Sequence, residues 1–179
     1  NIFHTFSENY KLNFDIKNIS KFKKFVIVGM GGSALGAKSI YKFLEHKIKK
    51  KFLFLNNLDE KKINEVNKEK QFYVFISKSG NTIETLVNIN LLKFNINRSN
   101  SIIISEKKEN SLNELSKKLN IKLIEHNKYV GGRYSVFSEV GMIPAYLMGL
   151  NIKKFKKNIR DIFFKKEKIK NLINISSKV

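Results

Sequence analysis

Three hydroxyl groups and one ammonium group are concentrated in a short segment in the middle of the chain. They belong to residues 77–82 and come from Ser77, Ser79, Thr82 and Lys78. The preceding residues, 72–76, suit a strand that is buried on both faces, and apolar residues recur at helical spacing from residue 83 onwards. The pattern therefore predicts a strand, a polar turn and the start of a helix. Free backbone N–H groups and the helix dipole favour an anion at such a turn, and a phosphate offers more acceptor oxygens than a carboxylate.

The same segment also has a purely structural interpretation. Asn81 is a suitable cap for the helix, and Glu84, three residues later, would complete a capping box. On this segment alone, the anion site and the capping box are equally well supported.

A glycine-rich loop follows the first predicted strand. The spacing of Gly29, Gly31 and Ala34 matches a dinucleotide-binding fingerprint. That fingerprint also requires an acidic residue at the end of the second strand to hold the ribose, and Asn56 and Asn57 stand there instead. Two other interpretations stay open: a tight turn with close helix packing, or a loop whose backbone N–H groups bind a sugar phosphate.

Five short apolar runs alternate with segments of helical character. The runs are residues 25–28, 52–55, 72–76, 102–104 and 121–124. This alternation predicts a doubly wound α/β fold, with a mainly parallel five-stranded sheet and helices on both faces. Ser111 and Glu114 are expected to cap the fourth helix. Ligands of such sheets bind where the strand order reverses, so the loops at 29–33 and 77–82 should share one crevice if the first and third strands are neighbours.

The chain divides into three parts. We expect an N-terminal arm at residues 1–22, one folded domain at 23–150 and a helical segment at 151–179. Within the domain, an apolar helical segment at 140–150 contains Pro144, which should kink the helix or start it afresh. The last part is rich in lysine and carries apolar residues at helical spacing, so it should form one or two amphipathic helices.

Composition limits the classes of function. At 179 residues the chain is about one domain, and it has no cysteine, which excludes disulfides, thiolate catalysis and Cys-based metal sites. No apolar run approaches the roughly 20 residues of a membrane helix. The net charge of +20 indicates a compositional bias rather than a specific nucleic-acid or membrane site, because lysines occur in every surface segment without interleaved aromatic residues.

Three motifs stand in a fixed order along most of the chain. They are Val-Gly-Met-Gly-Gly-Ser-Ala-Leu-Gly at 28–36, Ile-Ser-Lys-Ser-Gly-Asn-Thr-Ile-Glu-Thr at 76–85, and Gly-Gly-Arg-Tyr-Ser-Val-Phe-Ser-Glu-Val-Gly at 131–141. Together they resemble the N-terminal sugar-isomerase (SIS) domain of the phosphoglucose isomerase family. The first two motifs are shared widely among SIS domains that bind sugar phosphates, whereas the third is much more restricted and points to the isomerase.

The resemblance assigns roles to residues of all three motifs. The substrate-binding positions are Gly32, Ser33, Ser77, Lys78, Ser79, Thr82 and Gly132. The phosphate group would lie on Ser77, Ser79 and Thr82, which agrees with the hydroxyl argument above. Arg133 matches the catalytic arginine that faces the developing enediolate, where a fixed guanidinium stabilises negative charge. Without the motif, Arg133 would be interpreted as a surface residue after a flexible Gly-Gly turn.

The resemblance also implies a reaction and its requirements. The substrate would be a hexose 6-phosphate, with glucose 6-phosphate and fructose 6-phosphate interconverted through a cis-enediolate, without metal or organic cofactor. The full-length protein would be a cytoplasmic homodimer. The family's catalytic base lies in a second SIS domain, so the chain is expected to be a fragment that lacks it. No residue here replaces that base: Glu84 is expected to be structural, and His4, His46 and His126 match no motif.

Two alternatives from related classes stay open. One is a sugar-phosphate-sensing SIS module of a transcription regulator, which the positive charge would suit but which the third motif disfavours. The other is a different SIS isomerase that acts on mannose phosphate or on an amino-sugar phosphate.

Overall fold

Strands and helices alternate along the computed structural model, which describes residue 5 and residues 19–66, 70–92, 96–157 and 166–177. The strands are β1 (Lys24–Val28), β2 (Lys51–Leu55), β3 (Phe72–Ile76), β4 (Ser101–Ser105) and β5 (Lys122–Glu125). The α-helices are α1 (Gly32–Leu44), α2 (Glu60–Val66), α3 (Ile83–Leu92), α4 (Ser111–Leu119), α5 (Glu139–Leu147), α6 (Ile152–Lys156) and α7 (Lys166–Ser176). Short 3-10 helices occur at Ile19–Lys21, Glu45–Lys47 and Gly132–Phe137.

The strands form one parallel sheet in the order β2-β1-β3-β4-β5. Val26 of β1 pairs with Leu53 of β2 on one side and with Tyr73 of β3 on the other. This arrangement confirms the predicted α/β fold. The strand order reverses between β1 and β3, which are neighbours, so the loops that follow them open at the same edge of the sheet.

Two apolar layers cover the sheet. Phe25 and Ile27 of β1 belong to the layer formed with α1 and α5, whereas Val26 and Val28 belong to the layer formed with α2, α3 and α4. Full burial of one such side chain stabilises the fold by roughly 1.5–3 kcal/mol. Burial on both faces explains why β1, β3 and β4 are almost continuous apolar runs, and the polar loops emerge from their carboxyl ends.

Asn110, rather than Ser111, caps α4. Its side-chain oxygen accepts a hydrogen bond from the backbone N–H three residues on, at 2.9 Å. The predicted capping box of Ser111 and Glu114 is therefore wrong by one residue. Asn110 takes this position because its amide group also donates to the carbonyls of Glu106 and Lys108, at 3.2 and 3.0 Å, which ties the loop after β4 to the helix.

Pro144 lies inside α5, which continues through it to Leu147. Of the two outcomes expected for Pro144, a kink or a fresh start of the helix, the fresh start is therefore wrong. The helix instead begins after Ser138, whose hydroxyl accepts from the backbone N–H of Val140. Proline lacks the N–H group that would bond the carbonyl four residues earlier, so the helix loses a single bond of its backbone ladder.

The two ends of the chain are described only in part. Of the predicted arm at residues 1–22, most lies outside the described residues; the buried Thr5 accepts a hydrogen bond from Lys156 Nζ at 2.8 Å. The predicted amphipathic helices correspond to α6 and α7, with 158–165 outside the described residues. Among the helices that the structure describes, none is both long and apolar enough to cross a membrane.

Candidate functional site

The polar turn after β3 is held by hydrogen bonds between its own residues. The hydroxyl oxygens of Ser77 and Thr82 are 2.9 Å apart, and the Ser77 hydroxyl also accepts from the backbone N–H of Gly80 at 3.2 Å. The Ser79 hydroxyl accepts from the backbone N–H of Asn81 at 3.2 Å. Ser77 is buried and Ser79 is exposed. Ser77 therefore organises the turn from beneath, while Ser79 stands at the surface.

The start of α4 braces this turn from outside. Gly80 has a φ of 73°, and a Cβ there would overlap the side chain of Asn110, so the position requires glycine. The Gly80 carbonyl accepts from the backbone N–H of Leu112 at 3.2 Å, and the Asn81 side-chain oxygen accepts from that of Ser111 at 2.9 Å. Contacts with a separate helix thus fix the shape of the turn, as a preorganised binding site needs.

The capping-box interpretation of this segment is wrong. The Asn81 side chain binds α4 and does not cap α3. Glu84 is exposed, and its side chain makes no hydrogen bond to the described residues, so the expected structural role for it is not observed. At the same turn, the backbone N–H groups of Lys78, Ser79 and Thr82 have no acceptor within the described part of the chain. Unpaired N–H groups at a helix start are donors of the kind that an anion site uses.

The third motif packs directly against the first. It forms the 3-10 helix Gly132–Phe137, and a Cβ at Gly32 would overlap the Gly132 peptide and lie 2.7 Å from the backbone nitrogen of Arg133. The Ser135 hydroxyl donates to the carbonyls of Gly132 and Gly32, at 2.6 and 3.4 Å. The backbone of Arg133 is therefore held beside the start of α1.

An open cavity of about 360 Å³ lies beyond the carboxyl ends of β1, β3 and β4. Its lining residues are Ser33, Lys78, Ser79, Thr82, Glu106 and Lys108. Ser33 comes from the first motif, and the next three come from the second. The crevice predicted between the glycine loop and the polar turn is thus present, and hydroxyl groups from two motifs meet in it.

The remaining predicted site residues lie around this cavity. The buried Ser77 is hydrogen-bonded to Thr82, which lines the cavity, and the backbones of Gly32 and Gly132 contact each other. The Arg133 side chain is exposed, is not part of the cavity lining, and forms no hydrogen bond or ion pair with the residues described. The structure therefore brings the backbone of Arg133 to the site, and its guanidinium group has no partner there among the described residues.

Glu106 and Lys108 are cavity residues that the sequence analysis missed. They lie in the loop that directly follows β4. Because the carboxyl ends of parallel strands meet at one edge of the sheet, their position after a buried strand was the signal that could have identified them.

Charged groups in the cavity are linked to one another. Glu106 Oε2 lies 2.8 Å from Lys108 Nζ, and Glu106 Oε1 lies 3.6 Å from Lys78 Nζ. Lys78 Nζ also donates to the carbonyl of Lys128 at 2.7 Å. The hydrogen bond from Lys108, assisted by the charge of Lys78, lowers the pKa of the Glu106 carboxyl below its ordinary value. Glu106 is therefore charged at neutral pH.

His126 is buried close to this charged group. Burial is the main cause that lowers the pKa of the His126 imidazole, and the charge of Lys78 lowers it further, while Glu106 opposes the shift. Its Nδ1 lies 3.1 Å from the carbonyl of Asn127. His126 is buried and does not line the cavity, in line with its lack of a motif.

The acidic residue after β2 is paired locally, and the described residues hold no cluster of metal-ligating side chains. The Asn57 carbonyl beyond the end of β2 accepts from the Asn88 amide at 3.2 Å, and Asp59 pairs with Lys62 at 3.0 Å. Asp59, the acidic residue that follows β2 in sequence, is thus engaged locally. Within the part of the chain that the structure describes, no group of three or more His, Asp or Glu side chains is placed to hold a metal ion.

Comparisons with known proteins agree with the fold and with the motifs. The family model described as phosphoglucose isomerase matches residues 4–166. A glucose-6-phosphate isomerase of Methanocaldococcus jannaschii is 33% identical over 161 residues, which cover 86% of this chain and 40% of that relative. A hypothetical protein of Thermus thermophilus superposes with a TM-score of 0.70 at 27% identity, over 78% of this chain and 36% of that one. A putative phosphosugar isomerase of Clostridium difficile 630 shares the fold, with a TM-score of 0.51 at 16% identity over 89% of this chain and 44% of the other. The chain thus spans about 40% of the length of the curated relative.

Proposed function

This chain belongs to the phosphoglucose isomerase family, and on that basis we propose that it is the sugar-phosphate-binding part of an enzyme that interconverts glucose 6-phosphate and fructose 6-phosphate. The observation that carries the proposal is the open cavity in which Ser33, Ser79 and Thr82 meet at the start of α3. Hydroxyl groups, free backbone N–H groups and a helix start are the donors that a phosphate group needs.

The phosphate group would be bound by the polar turn. The Ser79 and Thr82 hydroxyls and the Ser33 hydroxyl donate from two sides of the cavity, and the backbone N–H groups of the turn add further donors. The turn needs no rearrangement, because α4 already holds it in shape. The turn therefore loses little conformational entropy when a ligand binds. The affinity should then depend mainly on the contacts with the phosphate group.

The chemistry proposed for the whole protein is proton transfer between the first two carbons of the open-chain sugar. A general base removes the C2 proton of glucose 6-phosphate to give a cis-enediolate, and the proton returns at C1 to give fructose 6-phosphate. Arg133 would place its guanidinium against the oxygens that gain negative charge in this step. Its backbone is fixed beside the start of α1, and its side chain has no competing partner among the described residues.

The general base is not assigned to any residue of this chain. Glu106 is the acidic residue of the cavity, and it is held by two lysine ammonium groups that lower its pKa, so it is a poor base. We therefore include in the proposal that these 179 residues bind substrate but turn over none. The whole protein would be a cytoplasmic homodimer of carbohydrate metabolism that uses no metal or organic cofactor.

The test is a calorimetric titration of this chain with glucose 6-phosphate, fructose 6-phosphate and unphosphorylated glucose. We expect saturable binding of both phosphates and none of glucose, because the phosphate group supplies most of the contacts. Mannose 6-phosphate and glucosamine 6-phosphate, titrated in parallel, distinguish this assignment from an isomerase of another hexose phosphate. Absence of saturable binding by either substrate phosphate would overturn the proposal.

A further inference from the structure

The cavity contains a carboxylate at a place where a phosphate site should be cationic. Glu106 lies between two ammonium groups, 2.8 Å from that of Lys108 and 3.6 Å from that of Lys78. All three side chains line the same cavity as Ser79 and Thr82. The function proposed above gives no role to Glu106 or Lys108, so their presence in the cavity needs its own explanation.

The two lysines differ in how firmly their ammonium groups are held. Lys78 Nζ donates to the carbonyl of Lys128 at 2.7 Å in addition to its pairing with Glu106. Lys108 Nζ pairs only with Glu106 within the described part of the chain, and its side chain is 52% exposed. The Lys108 carbonyl, in contrast, accepts from the amide group of Asn110 at 3.0 Å, which anchors the backbone. Lys108 can therefore change partners by rotating its side chain alone.

Glu106 is the fixed member of this group. Its side chain is only 15% exposed, its backbone N–H donates to the carbonyl of Lys78 at 3.2 Å, and its own carbonyl accepts from the amide groups of Asn110 and Asn113 at 3.2 and 3.0 Å. A charged carboxylate held at this place repels an incoming phosphate group. The same carboxylate keeps the ammonium group of Lys108 inside the cavity, where a phosphate can reach it.

We propose that Lys108 is a further phosphate-binding residue of this cavity, and that Glu106 holds the Lys108 ammonium group until a phosphate competes for it. The inference rests on the proposed function, because it takes the phosphate group of a sugar as the ligand. Binding then transfers one ammonium group from an internal carboxylate to the ligand, and the affinity reports the difference between the two ion pairs.

The neighbouring lysine provides a matched control. Lys107 pairs with Glu125 at 3.2 Å and does not line the cavity. Lys107→Met and Lys108→Met remove the same charge from adjacent positions, so long-range electrostatics affect both alike. In calorimetric titrations of the 179-residue chain with glucose 6-phosphate, we expect Lys108→Met to bind about tenfold more weakly than the unmodified chain and Lys107→Met less than about twofold more weakly.

Competition between Glu106 and the phosphate group for the Lys108 ammonium group can be tested separately. Glu106→Gln removes the negative charge and keeps the shape, so glucose 6-phosphate should bind about threefold to tenfold more tightly. Lys108→Met should then cost more affinity in the Glu106→Gln background than alone, because the ammonium group no longer has to leave a carboxylate. Weaker binding by Glu106→Gln would overturn the competition, and equal affinities of the two lysine variants would overturn the role of Lys108.

Failure of this inference can be told apart from failure of the proposed function. If the unmodified chain binds glucose 6-phosphate and replacement of Ser79 and Thr82 by Ala abolishes binding, while Lys108→Met behaves as Lys107→Met does, only the inference is wrong. If the unmodified chain shows no saturable binding, the inference and the proposed function are both wrong. Circular dichroism melting curves of each variant verify that the fold is retained.

Discussion

Gly32, at the start of α1, and Gly132, in the third motif, meet backbone to backbone. A Cβ at Gly32 would overlap the Gly132 peptide and approach the backbone nitrogen of Arg133 to 2.7 Å. No side chain could separate the two segments without displacing one of them. The contact therefore sets the position of Arg133 relative to the helix that carries Ser33.

Replacement of Gly32 by alanine should destabilise the protein. The new Cβ meets rigid backbone rather than the end of a flexible side chain, so we expect the free energy of unfolding to fall by about 1–3 kcal/mol. Gly131→Ala is the control, because its Cβ would lie 3.5 Å from the Tyr134 ring and its φ is −69°. That variant should change the free energy of unfolding by less than about 0.5 kcal/mol. Urea denaturation measures both, and equal stabilities of the two variants would contradict the contact.

Removal of the two accessible hydroxyls of the polar turn should weaken phosphate binding. We expect the double variant Ser79→Ala, Thr82→Ala to bind glucose 6-phosphate at least about tenfold more weakly, because two donors to a charged group are lost. Ser39→Ala, an exposed serine in the middle of α1, should leave the affinity unchanged. Calorimetry gives the affinities. An unchanged affinity in the double variant would place the phosphate elsewhere.

Arg133 should affect turnover more than substrate binding in the whole protein. In the proposed reaction the negative charge on the enediolate develops in the transition state. Arg133→Lys, which loses the planar fork of donors, should therefore lower kcat by about a hundredfold with a smaller change in KM. Arg98→Lys, in the exposed turn before β4, provides the matched control and should retain full activity. The measurement is steady-state kinetics of glucose 6-phosphate isomerisation. A loss confined to KM would make Arg133 a binding residue only.

Lys156 should make stability depend on pH in the alkaline range. Burial lowers the pKa of this lysine from 10.5 to about 8, although the charge of Glu139 opposes the shift. Between pH 8 and 10.5 the unfolded chain therefore binds more protons than the folded one, and stability rises with pH; below pH 8 the cost of burying the charge is fully present. Relative to Lys156→Met, the native chain should gain about 1–2 kcal/mol between pH 7 and about 9.5.

The control for this effect is Lys157→Met, which removes an exposed lysine next in sequence. It should show the same rise with pH as the native chain, because the buried ammonium group of Lys156 is retained in it. Urea denaturation at the two pH values measures the three proteins. Parallel pH dependence of Lys156→Met and the native chain would show that the buried lysine titrates normally.

Local pattern was sufficient to predict the sheet and the crevice. The central strands β1, β3 and β4 are mainly apolar runs that are buried almost throughout, and such runs are recognisable without knowledge of their neighbours. The crevice followed from two loops whose strands are adjacent, a condition that the strand order β2-β1-β3 fulfils. Ser33, Ser79 and Thr82 then meet because the carboxyl ends of parallel strands share one edge.

Features that depend on partners distant in sequence could not be predicted in this way. Asn81 has the sequence context of a cap for its own helix, yet its side chain binds the backbone of Ser111, thirty positions later. The position of Glu106 and Lys108 after β4 indicated the right edge of the sheet, but the ion pairs of Glu106 with Lys108 and Lys78 are visible only in the folded chain. The close backbone contact of Gly32 with Gly132 likewise joins two segments that are far apart in sequence, and no local pattern predicts it.

The hydrogen bonds between α4 and the polar turn have an electrostatic consequence. Two backbone N–H groups at the start of α4 donate to the turn. The N–H of Ser111 donates to the side-chain oxygen of Asn81, and that of Leu112 donates to the carbonyl of Gly80. Neither of these amides is left over for a second phosphoryl group. The partial positive charge of the helix start nevertheless points at the turn, so a bound monophosphate would experience the fields of two helices while touching only one.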